Sequence, residues 1–273
     1  SRWLQPAALV DARRESFVPV ELATGMRGVA STRLSGVLGI ENALRPSRGG
    51  LSIIPSARLE LSRDVAAGRD GLGELADADA PVTRAQAILR LAGTMPLGDD
   101  VLLRANLGRY ARLPSFLELY GNTGFILGNR ELVPERGLSA DLGAAYDGKV
   151  GPLAVTADAA LFAVLVDELI QFQQNAYGVA RARNLGRARV LGVETSGELR
   201  RGSARLYGQA TLTDARDRSD SAAASGRHLP YRPQVHVTLR PELRGAAIRH
   251  HEVGAFVELD LTSGNYVDPA NLV

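Results

Sequence analysis

The sequence predicts an all-β chain whose strands form one antiparallel, up-and-down sheet. Two observations predict it: apolar and polar residues alternate along most segments, and short and long connections between those segments follow one another in turn. A helix would need apolar residues at three- and four-residue spacing, which these segments do not have. About ten or eleven strands are expected, most of them near the ~9–11 residues of a tilted strand that crosses a bilayer.

The alternation is clearest in one segment near the middle of the chain. There Val101, Leu103 and Leu107 share one face, and Arg104 and Asn106 share the other. The same two-residue period recurs at 138–146, 205–212 and 235–240. Each of these segments therefore predicts a strand with one apolar face.

The connections differ in length in a regular order. Short, turn-like connections are predicted at Arg45–Gly50, Met95–Asp100, Asp147–Pro152, Arg201–Ser203 and Pro241–Gly245. Long polar connections are predicted at Asp64–Pro81, Pro114–Arg136, Gln173–Arg187 and Asp214–Leu229. A sheet of this kind has short turns at one end and long loops at the other.

Composition excludes several classes of protein. The chain has 273 residues, a formal net charge of +2 and no long basic run, which disfavours a nucleic-acid-binding protein. It has no cysteine, which excludes a disulfide framework, a thiolate metal site and a cysteine nucleophile. Residues 1–6 do not have the apolar core of a signal peptide, and no apolar run reaches the ~18 residues of a transmembrane helix. A membrane β-barrel passes these tests because its strands are short.

The alternation alone leaves two architectures open. A soluble sandwich buries its apolar face, whereas an outer-membrane barrel turns that face to lipid and lines its lumen with the polar one. The polar set that would line a lumen is spread over many strands: Arg104, Asn106, Asp141, Glu194, Glu198, Arg205, Gln209, His236 and Arg240. Aromatic residues make up only 5% of the chain, which counts against a barrel because barrels usually carry aromatic girdles.

A pair of motifs favours the membrane barrel over the soluble sandwich. The segment Arg109–Gly121 contains Arg-x-Pro-Ser at 112–115 and Glu-Leu at 118–119, and the segment Gly128–Glu135 reads Gly-Asn-x-x-Leu-x-Pro-Glu. Together they resemble the signature of the TonB-dependent outer-membrane receptor family, in which the first motif ends a lumen-lining strand and the second precedes the next strand. Arg130 stands where that family usually has proline, so a looser local turn is expected.

Weaker matches follow in the order that the family has them, and the resemblance covers about residues 30–273. They lie at 40–60, 162–170, 184–194 and 229–233. The motif residues to which the family's pattern points are Arg109, Arg112, Pro114, Ser115, Glu118, Leu119, Gly128, Asn129, Leu132, Pro134, Glu135, Gly192 and Glu194.

The resemblance implies that residues 1–273 form a partial transmembrane β-barrel domain. The family's plug domain, its TonB-contacting segment and its C-terminal strand are not recognisable here, so an internal piece of a barrel is expected. The implied function is that of a receptor and transporter, not an enzyme, for TonB-energised uptake of a scarce siderophore-, haem- or cobalamin-like substrate. The implied partners are bacterial outer-membrane lipid, the external small molecule, and the TonB complex through the absent plug. No nucleic acid, cofactor or metal site is expected.

The motif residues also have a physical interpretation. Pro114 lacks an N–H donor and therefore ends strand pairing. Glu118 and Glu135 are expected to bind Arg109 and Arg112 within the lumen. This interpretation, a salt-bridged transition from strand to loop, is favoured over direct contact of the four charges with a ligand.

Other candidate sites have ordinary explanations. Gly71–Ala76 reads Gly-x-Gly-x-x-Ala, but it has no strand before it and no helix after it, so a dinucleotide site is not predicted. His250, His251 and Glu252 are adjacent on a predicted strand and therefore point to opposite faces, which disfavours a shared metal ion. The run Asp214–Asp220 is expected to be a solvated loop tip, on the extracellular side if the chain is a receptor.

Two alternatives stay open on the sequence. One is a soluble all-β ligand-binding module with an accidental similarity to receptors, and the other is a receptor-like barrel that imports carbohydrate or peptide or that signals. A receptor fragment would leave an edge strand without a partner at each end of the sheet. The sequence does not identify the substrate or the loops that contact it.

Overall fold

A computed structural model describes most of the chain. The described residues are 3–20, 25, 27–46, 49–69, 75–76, 81–122, 125–174, 178–184, 186–220, 224–248, 251–267 and 271–272. The strands are β1 (Leu4–Phe17), β2 (Ala30–Leu44), β3 (Ser52–Arg69), β4 (Leu75–Ala76), β5 (Val82–Leu97), β6 (Val101–Arg112), β7 (Ile126–Leu127), β8 (Glu135–Val150), β9 (Leu153–Asp167), β10 (Ile170–Gln174), β11 (Ala180–Asn184), β12 (Arg187–Arg201), β13 (Ala204–Asp217), β14 (Val235–Ile248), β15 (His251–Phe256) and β16 (Leu259–Thr262). A short helix, α1, spans Phe116–Tyr120, and no helix in the described residues is long and apolar enough to cross a membrane.

The strands form one large antiparallel sheet in chain order. The order is β1-β2-β3-β5-β6-β8-β9-β12-β13-β14-β15, with β4 beside β3 and β16 beside β14. A small second sheet has the order β10-β11-β7. The predicted up-and-down topology is confirmed. Across the described residues β1 and β15 do not pair with each other, so the large sheet is open, as expected for part of a barrel.

Four of the five predicted short turns connect neighbouring strands, and the fifth prediction is wrong. The connections at 45–51, 98–100, 151–152 and 202–203 lie within or overlap the predicted turns. The segment Pro241–Gly245 instead lies inside β14. Its proline and glycine interrupt pairing without reversing the chain, since Gly245 has a φ of +83° and lies where the register shifts between Leu243 and Ala246.

Pro241 explains why β15 and β16 are two strands. Glu242 pairs with Phe256 and Leu239 pairs with Leu259, so Val257 lies near Pro241. The Val257 N–H donates to the Pro241 carbonyl at 3.1 Å, but proline has no N–H to complete the ladder. One extended segment is thereby divided at this position.

The long connections are shorter than predicted because the strands continue into them. Asp64 lies within β3, and Asp214 lies within β13. Residues 214–217 of the charged run therefore form the end of β13 rather than a loop tip, and Asp217 is buried. Residues 71–74 of the Gly-x-Gly-x-x-Ala segment lie outside the described residues, and so does His250.

The two faces of the sheet differ in the way that separates a membrane barrel from a soluble sandwich. Leu142 and Leu161 are direct partners on β8 and β9, and their exposed fractions are 59% and 57%. Other exposed leucines on the same face, which we name the outward face, are Leu38, Leu59, Leu61, Leu89, Leu91, Leu107, Leu138, Leu165, Leu212 and Leu239. A soluble sandwich would bury this face, whereas a barrel in lipid presents it.

The opposite, inward face carries paired polar side chains. Asn106 donates to Asp141 at 2.8 Å across β6 and β8, and Arg104 forms an ion pair with Asp158. Two small clusters of buried apolar residues lie toward the long-loop end, one around Leu119 and one around Val166. Buried packing is therefore concentrated where the connections fold back onto the sheet.

Candidate functional site

The capping segment, residues 113–134, connects β6 to β8 at the long-loop end. Strand pairing of β6 ends at Arg112, and Pro114 follows with a fully buried side chain. Ser115 then caps α1 reciprocally: its hydroxyl accepts from the Glu118 N–H at 3.3 Å, and the Glu118 carboxylate accepts from the Ser115 N–H at 2.7 Å. The helix thus begins immediately after the strand ends.

Arg112 joins this helix to the next strand. Its guanidinium donates to Glu135 at 2.8 and 2.7 Å and to Glu118 at 3.0 and 3.2 Å. Glu135 also accepts from the Ile170 N–H at 2.7 Å, so the two buried carboxylates are held from several sides. Arg109 lies on the other face of β6 with an exposed side chain. The expectation that Arg109 also binds a glutamate within the lumen is therefore wrong.

A second charged group fixes the capping segment from the opposite side. Arg33 on β2 donates two hydrogen bonds to Asp64 on β3, at 2.6 and 2.8 Å, and Arg84 on β5 donates to the same carboxylate at 2.6 Å. Arg33 also donates to the Pro114 carbonyl at 2.9 Å. The Asp64 side chain is 1% exposed, so these groups are shielded from water.

Aromatic contacts extend the same attachment. The Phe116 ring stacks on Phe17 of β1, with 5.9 Å between centroids, and on Tyr120, with 6.3 Å. The Arg33 guanidinium lies 5.1 Å from the centroid of the Phe116 ring. Burial raises the pKa of Tyr120, and the charge of Asp64 adds to that shift. The segment is thus attached to the inward face of β1, β2 and β3.

An apolar cluster closes the space beneath the capping segment. Leu119 and Leu132 are each 2% exposed. The cluster consists of Val29, Ala66, Leu119, Tyr120, Leu132, Ile170 and Ala182. On one side the members are Val29, just before β2, and Ala66 of β3, and on the other side they come from β10 and β11 of the small sheet. The capping segment therefore packs between the large sheet and the small one.

Gly128 allows the segment to fold against α1. A Cβ atom at this position would lie 2.5 Å from the Leu119 carbonyl oxygen, so only glycine fits. The next residue, Asn129, donates from its backbone N–H to the Glu118 carbonyl at 2.9 Å and from its side chain to the Ala182 carbonyl at 2.9 Å. The Gly-Asn pair therefore connects the helix to the β10–β11 hairpin.

The turn at Arg130 is held by Asn129 rather than by proline. The Asn129 side-chain oxygen accepts from the Glu131 N–H at 3.2 Å, and its backbone carbonyl accepts from the Leu132 N–H at 3.4 Å. Arg130 is exposed, and Pro134 is buried just before β8 begins. The turn is closed by these hydrogen bonds although the family's usual proline is replaced.

The two motif residues on β12 lie outside this cluster. Gly192 is the direct partner of Phe162 on β9, and a Cβ atom at 192 would lie 2.2 Å from the end of that ring. Glu194 is exposed on the inward face, with Ala160 and Thr211 as its register partners. Gly192 thus serves ring packing on the wall, and Glu194 is available to the interior.

The described residues of the capping segment form a structural joint between β6, α1 and β8. The carboxylates of Glu118 and Glu135 accept hydrogen bonds from Arg112 and from backbone N–H groups. Among the described residues no group of three histidine, aspartate or glutamate side chains could hold a metal ion. What the arrangement does is to hold a folded segment on the inward face at the long-loop end.

Comparison with known proteins gives the family. A model of the family described as the TonB dependent receptor-like β-barrel matches residues 31–272. The chain belongs to this family. No curated protein sequence matches it closely enough to be a relative.

Solved structures of TonB-dependent receptors have the same fold. The copper transporter OprC superposes with a TM-score of 0.73 at 16% identity, over 93% of this chain and 40% of that one. The ferric yersiniabactin uptake receptor FyuA from Yersinia pestis gives 0.67 at 15% identity, over 98% and 40%. The ferric citrate transporter FecA gives 0.68 at 17% identity, over 99% and 40%. This TonB-dependent receptor barrel therefore spans about 40% of the length of these relatives, which are receptors and transporters rather than enzymes.

Sequence reasoning missed the partners that lie far along the chain. Arg33, Asp64 and Arg84 form the most enclosed charged group of the site, yet none of them belongs to a motif. Phe17 is likewise distant from Phe116 in sequence. The alternation of faces along a strand could have found the charged members, because Arg33, Asp64 and Arg84 all occupy positions whose side chains point to the inward face.

Proposed function

We propose that the chain forms part of the barrel wall of an outer-membrane receptor that takes up a scarce metal chelate with energy supplied through TonB. The observation that carries the proposal is the division of the sheet into an exposed leucine face and an inward face of paired polar groups. Lipid accommodates the first face, and a hydrated or plugged lumen accommodates the second. Family membership supports the bacterial outer membrane as the location and TonB as the partner.

The capping segment has a mechanical role in this proposal. It folds over the inward face at the long-loop end and is held by Arg112 on one side and Arg33 on the other. Loops at this end face the exterior in a receptor, so the segment narrows the entrance to the lumen. Arg112, Glu118 and Glu135 support this entrance and do not themselves bind substrate.

The class of substrate is proposed from the related structures. Their names refer to copper, ferric yersiniabactin and ferric citrate, so a metal or a metal chelate is the common cargo. Siderophore-, haem- and cobalamin-like molecules all belong to the proposed range. Import of carbohydrate or peptide is the alternative that the experiment must separate.

Uptake by the receptor that carries this chain tests the proposal. The receptor would be produced in a bacterium without its own receptors of this kind, with TonB present or deleted, and supplied with labelled ferric siderophores, haem, cobalamin, oligosaccharides and peptides. Accumulation of a metal-containing compound that disappears without TonB is expected. Uptake that persists without TonB, or uptake of oligosaccharide or peptide alone, would contradict the proposal, and cells with empty vector are the control.

A further inference from the structure

A chain of side-chain hydrogen bonds crosses the inward face from β13 to β16. The Tyr207 hydroxyl donates to the Gln209 side-chain oxygen at 2.9 Å, and the Gln209 amide donates to the Thr238 hydroxyl at 3.2 Å. Thr238 is buried, and its hydroxyl donates to the Asp260 carboxylate at 2.9 Å. All of these donors point the same way, so the Asp260 carboxylate is the acceptor at which the chain ends.

The same carboxylate fixes the ring of His236. The Nε2 atom of His236 lies 3.0 and 3.2 Å from the two carboxylate oxygens of Asp260. An ionised carboxylate cannot donate, so Nε2 carries the hydrogen, and in the neutral imidazole the lone pair is then on Nδ1. The His236 side chain is 42% exposed on the inward face, and among the described residues Nδ1 has no hydrogen-bond partner. His236 therefore presents an oriented imidazole with an unused lone pair.

Metal-binding histidines have this arrangement. Such a histidine binds the ion through one ring nitrogen and donates its other N–H to a carboxylate, which orients the ring and raises the basicity of the ligating nitrogen. The His228 ring differs, because it stacks on Tyr266 with 5.9 Å between centroids and lies 3.8 Å from Asp214, beyond hydrogen-bond distance. The geometry of a metal ligand is thus found at His236 and not at His228.

Glu194 lies on the same part of the inward face. Glu194 and His236 are the register partners of Thr211 from its two sides, so their backbones lie two strand spacings apart, about 10 Å. Glu194 is exposed, and it forms no hydrogen bond or ion pair through its side chain with the described part of the chain. An imidazole nitrogen and a carboxylate oxygen that extend toward each other over Thr211 can both bind one ion between them.

This pair of ligands sets the kind of metal compound that fits. Two protein ligands do not fill the coordination sphere of an ion, and the described residues contain no group of three histidine, aspartate or glutamate side chains that could do so. The ion must therefore arrive with ligands of its own and with a position that His236 can occupy. Imidazole suits Cu²⁺, Ni²⁺ and Zn²⁺. Weak binding of this kind suits transport, because a cargo that is bound on the way must also leave.

We propose that His236 and Glu194 are a transient contact for a chelate of a divalent metal, such as Cu²⁺, Ni²⁺ or Zn²⁺, that keeps an exchangeable coordination position. In the exchange, the Nδ1 lone pair forms the bond to the metal and a bound water leaves with its own electron pair. Asp260 is the positioning residue. A chelate whose ligands fill every position has no site for His236. The inference rests on the proposed function, because it requires the inward face to line the path of a metal chelate.

Binding of copper chelates to the whole receptor that carries this chain, purified without a histidine tag, tests the inference. The probes are Cu²⁺–iminodiacetate, which leaves positions to water, and Cu²⁺–EDTA, which does not. Pulsed electron paramagnetic resonance detects the remote ring nitrogen of a coordinated imidazole. The native receptor is expected to show this signal with the first probe only, and His236→Gln is expected to lose it. The control His228→Gln should keep it.

Two variants separate the ligands from the positioning residue. Asp260→Asn is expected to bind Cu²⁺–iminodiacetate about 10–100-fold more weakly while the nitrogen signal returns at saturation, since the imidazole itself is unchanged. Glu194→Gln is expected to bind the probe more weakly and also to keep the nitrogen signal. Gel mobility in detergent before and after heating checks that each variant is folded.

The results that would overturn the inference are an undiminished nitrogen signal in folded His236→Gln and equal binding of the two probes by the native receptor. Uptake by cells separates this failure from that of the proposed function. If the native receptor takes up no metal compound with TonB present, the proposed function fails. If it takes up a metal chelate in a TonB-dependent manner and His236→Gln still gives the nitrogen signal, only the inference fails.

Discussion

Gly192 and Phe162 face each other across β12 and β9, and the phenyl ring occupies the space where a side chain at 192 would begin. A Cβ atom on Gly192 would lie 2.2 Å from Phe162 Cζ and 2.6 Å from the Leu212 carbonyl oxygen. The ring can move, but the carbonyl belongs to the neighbouring strand and cannot easily do so. The missing side chain therefore allows three adjacent strands to pack around one inward-facing ring.

Substitution of Gly192 by alanine is expected to destabilise the barrel by about 1–3 kcal/mol, the usual cost of overpacking. The midpoint of heat unfolding of the receptor, followed by its gel mobility in detergent, measures this effect. Gly197→Ala on the same strand is the matched control, because its added Cβ would lie at an ordinary 3.5 Å from the Thr156 carbonyl oxygen. Equal midpoints for the two variants would contradict this account of Gly192.

Substitution of Arg112 by lysine is expected to weaken the attachment of the capping segment by about 1.5–3 kcal/mol. Lysine keeps the charge but cannot make paired hydrogen bonds to both Glu118 and Glu135. Arg109→Lys, on the outward face of the same strand, is the control and should leave the unfolding midpoint unchanged. If both variants unfold alike, the joint does not depend on the Arg112 guanidinium.

Replacement of Asp64 by asparagine is expected to cost about 3–5 kcal/mol, because it leaves Arg33 and Arg84 enclosed without their shared carboxylate. Asp158→Asn removes a similar ion pair with Arg104, but there both side chains are 33% exposed and water replaces the partner. That variant should lose about 0–1 kcal/mol. A cost for Asp158→Asn as large as that for Asp64→Asn would show that burial does not govern these pairs.

Substitution of Gly128 by alanine is expected to release the capping segment while the wall stays folded. The added Cβ would meet backbone atoms of Leu119 and Tyr120 at 2.5 Å, which do not yield. Limited proteolysis followed by mass spectrometry should detect new cleavage within residues 113–134. Gly36→Ala, which meets nothing within 4 Å, is the control. Protection of that segment in both variants would contradict the role assigned to Gly128.

The sheet was predictable because its signal is local. Alternation along β6 and β13 assigns each residue to a face without knowledge of its neighbours, and the register of the structure agrees with that assignment. The capping box of Ser115 and Glu118 is also local, since the two residues are three apart. Such signals need only short-range backbone geometry.

The remaining features depend on contacts that are distant in sequence. Pro241 and Gly245 have the composition of a turn, but pairing with β13 and β15 keeps them within β14. Arg33 and Asp64 meet only because β2 and β3 pair in one register. Arg112 meets Glu135 only because β8 pairs with β6. A single sequence contains no direct record of these pairings.

The most direct test of the central claim compares two adjacent residues on opposite faces of β8. Because the chain contains no cysteine, Leu142→Cys and Asp141→Cys each introduce a single labelling site within it for a nitroxide spin label. In the receptor reconstituted into bilayers, the label at 142 is expected to collide with oxygen more than with a water-soluble nickel complex, as a label in lipid does, and the label at 141 should show no such preference. Equal preference for the nickel complex at both positions would mean that the leucine face is in water and that the chain does not form a membrane barrel.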